Sequence, residues 1–131
     1  MKEKIFIIED DTSTLMLLEE GLKMENFETD HATSGKEALE KIDEIKNGMR
    51  EKPDLVLLDI LLPDISGVEI LKAIRKNPQT SDLKVFAFTN FSDPELNKKL
   101  VQEKIDKILL KADVALDELA EIIRKEIKKN E

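Results

Sequence analysis

The chain has 131 residues, no cysteine, and a formal net charge of -8 at pH 7. This length suits a single domain, 1–131, and the excess of carboxylates disfavours a nucleic-acid surface, which needs clustered Lys and Arg. Disulfides and thiolate metal sites are excluded, and no apolar run approaches the roughly 18 residues that cross a bilayer. We therefore expect a soluble, cytoplasmic domain that binds neither nucleic acid directly nor a membrane.

Strands and helices are predicted to alternate along the whole chain. Short apolar runs and turn residues place the strands at 4–8, 28–31, 54–58, 84–88 and 107–110. Helical periodicity and capping residues place the helices at 12–25, 35–47, 67–76, 94–103 and 116–128. Five such repeats indicate an α/β fold with a doubly wound, five-stranded parallel sheet and right-handed crossovers.

Carboxylates end the two most apolar predicted strands. Glu9 and Asp10 follow the run 5–8, and Asp59 follows the run 55–58. In open parallel sheets, ligands bind beyond the carboxyl ends of the strands, so both acidic groups are expected in one crevice. Carboxylates that crowd together repel each other unless a cation neutralises them, and a set of oxygen ligands suits Mg²⁺. The sequence therefore predicts a magnesium site here.

Two further side chains are expected at the same edge of the sheet. Thr89 ends the fourth predicted strand and Lys111 ends the fifth, which adds a hydroxyl and an ammonium to the carboxylates. Two other acidic residues close to these strand ends, Asp11 and Asp64, are expected to be mostly solvated, and the alternative is that they tune the pocket.

These residues together carry a family resemblance. The sequence resembles the receiver domain of two-component response regulators, whose motifs are matched in order and spacing by Glu9-Asp10, Asp59 with Pro63 and Gly67, Thr89, and Lys111. The resemblance covers essentially the whole chain. It implies a flavodoxin-like, CheY-like sheet with strand order 2-1-3-4-5 and five helices.

The resemblance also implies a reaction. Asp59 would accept a phosphoryl group from a phosphohistidine in a sensor histidine kinase or a histidine phosphotransfer protein. Glu9, Asp10, Asp59 and the backbone carbonyl of Leu61 would hold Mg²⁺. The domain would signal to an unknown downstream protein and would not be a conventional enzyme.

The resemblance also implies roles for the residues that end strands four and five. By resemblance, Lys111 would pair with Asp59 and then with a phosphoryl oxygen, and the Thr89 hydroxyl would move onto another. The chain departs from the family pattern here, because Ala112 replaces a common proline and Ile108 replaces a common aromatic residue. These departures support one alternative, a phosphorylation-independent interaction module with the same fold.

One apolar run remains open to two interpretations. Residues 15–18, with the sequence Leu-Met-Leu-Leu, wrap a full helical turn, so their side chains cannot all face the core. The run is either a wide core stripe or a docking patch for a kinase or phosphotransfer protein.

Overall fold

The computed structural model describes residues 2–129, so the first residue and the last two of the predicted domain lie outside the described residues. Its strands are β1 Lys4–Ile8, β2 Glu28–Ala32, β3 Leu55–Leu58, β4 Lys84–Thr89 and β5 Lys107–Leu110. Its helices are α1 Thr12–Met24, α2 Gly35–Lys46, α3 Gly67–Lys76, α4 Pro94–Gln102 and α5 Leu116–Lys128. The strands are parallel in the order β2-β1-β3-β4-β5. The predicted fold class is confirmed.

Predicted and observed boundaries differ by at most one residue. Strand β4 includes Thr89, which pairs with Leu110 of β5, so the strand ends one residue after the predicted range 84–88. A 3₁₀ turn over Lys111–Asp113, which was not predicted, follows β5.

Alternate residues of the central strands face two separate apolar layers. One layer lies under α1 and α5 and includes Ile5, Ile7, Leu55, Leu57, Phe86, Leu22 and Ile123. The other lies under α2, α3 and α4 and includes Phe6, Ile8, Val56, Leu58, Ile42, Ile70 and Leu100. The apolar runs of β1 and β3 are continuous because both of their faces are buried.

Strand pairing continues past the ends of β1 and β3, and this extension positions the acidic residues. The Glu9 N–H donates to the Ala32 carbonyl at 3.0 Å, and the Asp59 N–H donates to the Ile8 carbonyl at 3.0 Å. Both residues are therefore anchored to the sheet by their backbones. Within residues 2–129, every helix is too short or too polar to span a bilayer.

Candidate functional site

Asp59 lies at the base of a crevice above the sheet. Its side chain is 9% exposed, and its Oδ1 accepts a hydrogen bond from the Leu61 N–H at 3.2 Å. Helix α3 begins directly against this loop, because the Gly67 N–H donates to the Ile60 carbonyl at 3.0 Å. Strand β3, the loop that follows it and the start of α3 thus hold the carboxylate in place.

Three carboxylates meet at this point, as the sequence predicted. Each of Glu9, Asp10 and Asp59 offers one oxygen, and these oxygens all lie within 4.8 Å of one another. Glu9 and Asp59 are buried, whereas Asp10 is exposed. A compact group of hard oxygen donors, open on one side, fits Mg²⁺, which keeps several waters when it binds to proteins.

Lys111 reaches the same carboxylates from the 3₁₀ turn. Its Nζ donates to Asp59 Oδ2 at 2.9 Å, and it also donates to Glu9 Oε1. The contact with Asp59 is the one that the resemblance implied, whereas the contact with Glu9 was not anticipated. Because a strand-end pattern locates a backbone and not a side-chain rotamer, the sequence carried no signal for this second contact.

Burial and ion pairing act in opposite directions on the charges of the site. Burial raises the pKa of Glu9 above its usual value, even though hydrogen bonds from Lys111 and the Asp11 N–H act to lower it. Burial acts to lower the pKa of Lys111, but hydrogen bonds to Glu9 and Asp59 outweigh this and raise it. Lys111 therefore stays positively charged, and its single charge can neutralise only one of the three carboxylates of the site. The uncompensated negative charge favours a divalent cation.

Thr89 is buried at the end of β4 and lines the same crevice, an open cavity of about 380 Å³. Its Oγ1 accepts a hydrogen bond from the Phe91 N–H at 3.2 Å, so the hydroxyl is engaged by its own loop in this structure. The side chains of Leu61 and Phe91 also line the cavity and are 55% and 41% exposed. All the predicted site residues thus lie around one opening.

Two acidic residues of the site loops have roles that the sequence analysis missed. Asp11 caps α1, since its carboxylate accepts from the Thr14 N–H at 3.0 Å. Asp64 reaches the start of α2 and accepts from the Gly35 and Lys36 N–H groups, both at 2.9 Å. Both carboxylates are exposed, but they are not merely solvated. The spacing of Asp11 and Thr14 is an ordinary capping signal, whereas the Asp64 contact spans distant parts of the sequence.

The apolar run 15–18 on α1 is half buried and half exposed. Leu15 and Leu18 are buried, whereas Met16 and Leu17 are 60% and 66% exposed. The core interpretation is therefore right for half of the run. Docking of a partner on the exposed half stays a prediction.

Known proteins are similar to this chain in sequence. The chain is 36% identical over 76 residues to the alkaline phosphatase synthesis transcriptional regulatory protein PhoP of Bacillus subtilis, which covers 58% of this chain and 29% of that protein. It is 39% identical over 75 residues to the sporulation initiation phosphotransferase F of Bacillus subtilis, which covers 57% of this chain and 56% of that protein. The match thus spans between 29% and 56% of the length of these relatives.

A solved structure extends the similarity to almost the full chain. The CheY-like response regulator receiver domain protein from Methanospirillum hungatei JF-1 superposes with a TM-score of 0.85 at 28% identity, covering 98% of this chain and 96% of that one. The family described as the response regulator receiver domain matches residues 5–124. The chain therefore belongs to the response regulator receiver domain family.

Proposed function

We propose that Asp59 is the phosphoryl acceptor of this receiver domain and that a histidine kinase or a histidine phosphotransfer protein is its donor. The observation that carries the proposal is the environment of the Asp59 carboxylate, which is held by the Leu61 N–H on one oxygen and by Lys111 on the other. A carboxylate oxygen would attack phosphorus while the phosphorus–nitrogen bond breaks. The electron pair returns to the imidazole nitrogen, and Asp59 becomes an acyl phosphate.

Charge neutralisation and alignment dominate such a transfer, since there is little acid–base chemistry to perform. We assign Glu9, Asp10, Asp59 and the backbone carbonyl of Leu61 as the groups that would hold Mg²⁺. The clustered carboxylate oxygens support the first three, and Leu61 lines the same cavity. When bound, Mg²⁺ supplies positive charge next to the phosphoryl oxygens. Lys111 would supply a second positive charge through its contact with Asp59 Oδ2.

Thr89 and Lys111 would report the phosphorylated state. A phosphoryl group on Asp59 offers new acceptors to the Thr89 hydroxyl, which would exchange its contact with the Phe91 N–H for one with the phosphoryl group. Inverting a population from 1:99 to 99:1 takes about 5.5 kcal/mol, and hydrogen bonds to charged groups contribute roughly 1.5 to 3 kcal/mol each. Two such hydrogen bonds would supply most of the free energy that the switch requires. The surface around Thr89, changed by this movement, would then bind the downstream protein.

Membership of the receiver family favours phosphorylation over the alternative of a phosphorylation-independent module. We further expect no conventional enzyme activity in this domain and a cytoplasmic location, where histidine kinases present their phosphohistidine. Direct nucleic-acid binding is not expected of these residues, since the net charge of -8 opposes it. The relative named a transcriptional regulatory protein is longer than the region matched here.

Acetyl phosphate provides the decisive test. We expect the wild-type protein, incubated with acetyl phosphate and Mg²⁺, to gain the mass of one phosphoryl group, as measured by intact mass spectrometry. Asp59→Asn should gain none, because the amide is not a competent nucleophile. Asp64→Asn is the matched control and should be phosphorylated like the wild type, since its carboxylate is used at α2. Undiminished phosphorylation of Asp59→Asn would place the acceptor elsewhere.

A further inference from the structure

The 3₁₀ turn that carries Lys111 is capped by a residue from a different loop. The first N–H groups of a helical turn lack partners within that turn, and Leu110, which precedes it, provides no side-chain cap. The Ala112 N–H instead donates to Asn90 Oδ1 at 3.1 Å. Asn90 therefore caps the turn from 22 residues away in the sequence.

The pairing of β4 with β5 makes this contact possible. Thr89 pairs with Leu110, so the next residue on each strand, Asn90 and Lys111, stands at the same level of the sheet. The contact also depends on a departure from the family pattern, because a proline at position 112 would have no N–H to donate. Asn90 and Ala112 thus form a matched pair in this chain.

Asn90 lies between the two residues assigned to the phosphoryl group. Thr89 directly precedes Asn90 in the chain. Asn90 also caps the 3₁₀ turn through the Ala112 N–H. From this turn, Lys111 reaches Asp59 and Glu9. We propose that Asn90 is a positioning residue for phosphoryl transfer, which holds the Lys111 turn in register with the threonine loop. This proposal rests on the proposed function, since it concerns the same site.

The contact is exposed, so its expected effect is modest. The net contribution of a hydrogen bond is about 0.5 to 1.5 kcal/mol, which corresponds to a two- to tenfold change in rate if it is lost in the reactive arrangement. Asn90→Leu keeps the size of the side chain but removes the acceptor. We expect about two- to tenfold slower phosphorylation by acetyl phosphate at saturating Mg²⁺, with Mg²⁺ affinity within about twofold of the wild type. Mg²⁺ affinity is spared because Asn90 is not among the clustered carboxylates.

Three further measurements separate positioning from a general loss of structure. Amide hydrogen exchange of Ala112 should be faster in Asn90→Leu and should return towards the wild-type rate in Asn90→Asp, which restores an oxygen acceptor. In a Lys111→Ala background, Asn90→Leu should cause no further loss of rate, because it acts through Lys111. Ser92→Ala, an exposed substitution in the same loop, is the control and should leave the rate and Ala112 exchange unchanged.

The outcomes are distinguishable from those that test the proposed function. If the wild type is not phosphorylated on Asp59, the proposed function is wrong. If the wild type is phosphorylated and Asn90→Leu reacts at the same rate, the positioning role is wrong. An equal loss of rate in the wild-type and Lys111→Ala backgrounds also overturns it, since the effect would then not pass through Lys111.

Discussion

Asp64 shows how a single carboxylate can join two segments that are far apart in the sequence. Its side chain accepts hydrogen bonds from the Lys36 and Gly35 N–H groups at the start of α2, and these bonds hold the pKa of Asp64 below its usual value of 3.8. The positive end of the helix dipole acts in the same direction. The loop that follows β3 is thereby anchored to the start of α2.

This anchor makes stability depend on pH in a defined direction. A depressed pKa in the folded state means that ionised Asp64 stabilises the fold above the unfolded-state pKa, and this contribution is lost as pH falls through the lower folded pKa. Asp64→Asn should therefore unfold at lower urea concentration than the wild type near pH 7, and the gap should close below about pH 3.8. Asp113→Asn, which removes another exposed carboxylate, is the control. A gap that stays constant from pH 7 to pH 2.5 contradicts this account.

The start of α3 favours glycine at position 67 for reasons of space. A Cβ at Gly67 would lie 2.7 Å from the Ile60 Cα and 3.1 Å from the Asp59 carbonyl oxygen. Both are backbone atoms of the loop that holds the proposed acceptor, so the clash cannot be relieved by rotating a side chain. Gly67 thus sets the close approach of helix α3 to this loop.

Gly67→Ala should destabilise the fold by about 1 to 3 kcal/mol, the usual cost of forced backbone shifts, and should slow phosphorylation of Asp59 as its loop is displaced. Urea unfolding gives the first quantity and mass spectrometry with acetyl phosphate the second. Gly48→Asn is the control for replacing a glycine without a clash, since a Cβ at this position would meet no atom within 4 Å. Its φ of 75° costs asparagine less than it costs other side chains, so this variant should lose less stability than Gly67→Ala. Equal stability of Gly67→Ala and the wild type would show that the loop shifts without a cost in free energy, which contradicts the prediction.

At the scale of helices and strands, the sequence predicted what depends on local patterns. Apolar runs identified β1 and β3 because both of their faces are buried, and the residues just after them were correctly expected at one edge. The 3₁₀ turn was not predictable, since its cap comes from Asn90 in another loop. The Asp64 contact was missed for the same reason. Long-range side-chain contacts leave no periodic signal in the sequence.

The whole molecule is strongly acidic, and part of this negative charge is clustered in the site. The chain has a formal net charge of -8, and three carboxylates share one crevice with a single ammonium from Lys111. Such repulsion opposes folding, and burial of Glu9 adds to it by disfavouring the charged form. The site is thus maintained at a cost in stability that two well-packed apolar layers must offset.

A ligand that relieves this repulsion should stabilise the entire fold. If Mg²⁺ binds the folded protein and not the unfolded chain, it should contribute about 2.7 kcal/mol at one hundred times its Kd. We therefore expect thermal unfolding, followed by circular dichroism, to shift upwards by several degrees with millimolar MgCl₂. Asp10→Asn, which removes an exposed ligand candidate without disturbing the core, should lose at least half of this shift.

General screening of an acidic protein would also raise the melting temperature, so the comparison needs NaCl at matched ionic strength. Screening acts on every carboxylate, and it should therefore stabilise the wild type and Asp10→Asn equally. Site binding should instead separate the two proteins, because only the wild type retains the full set of carboxylate oxygens around one point. If NaCl reproduces the magnesium effect, or if Mg²⁺ stabilises both proteins to the same extent, the acidic cluster is not the metal site.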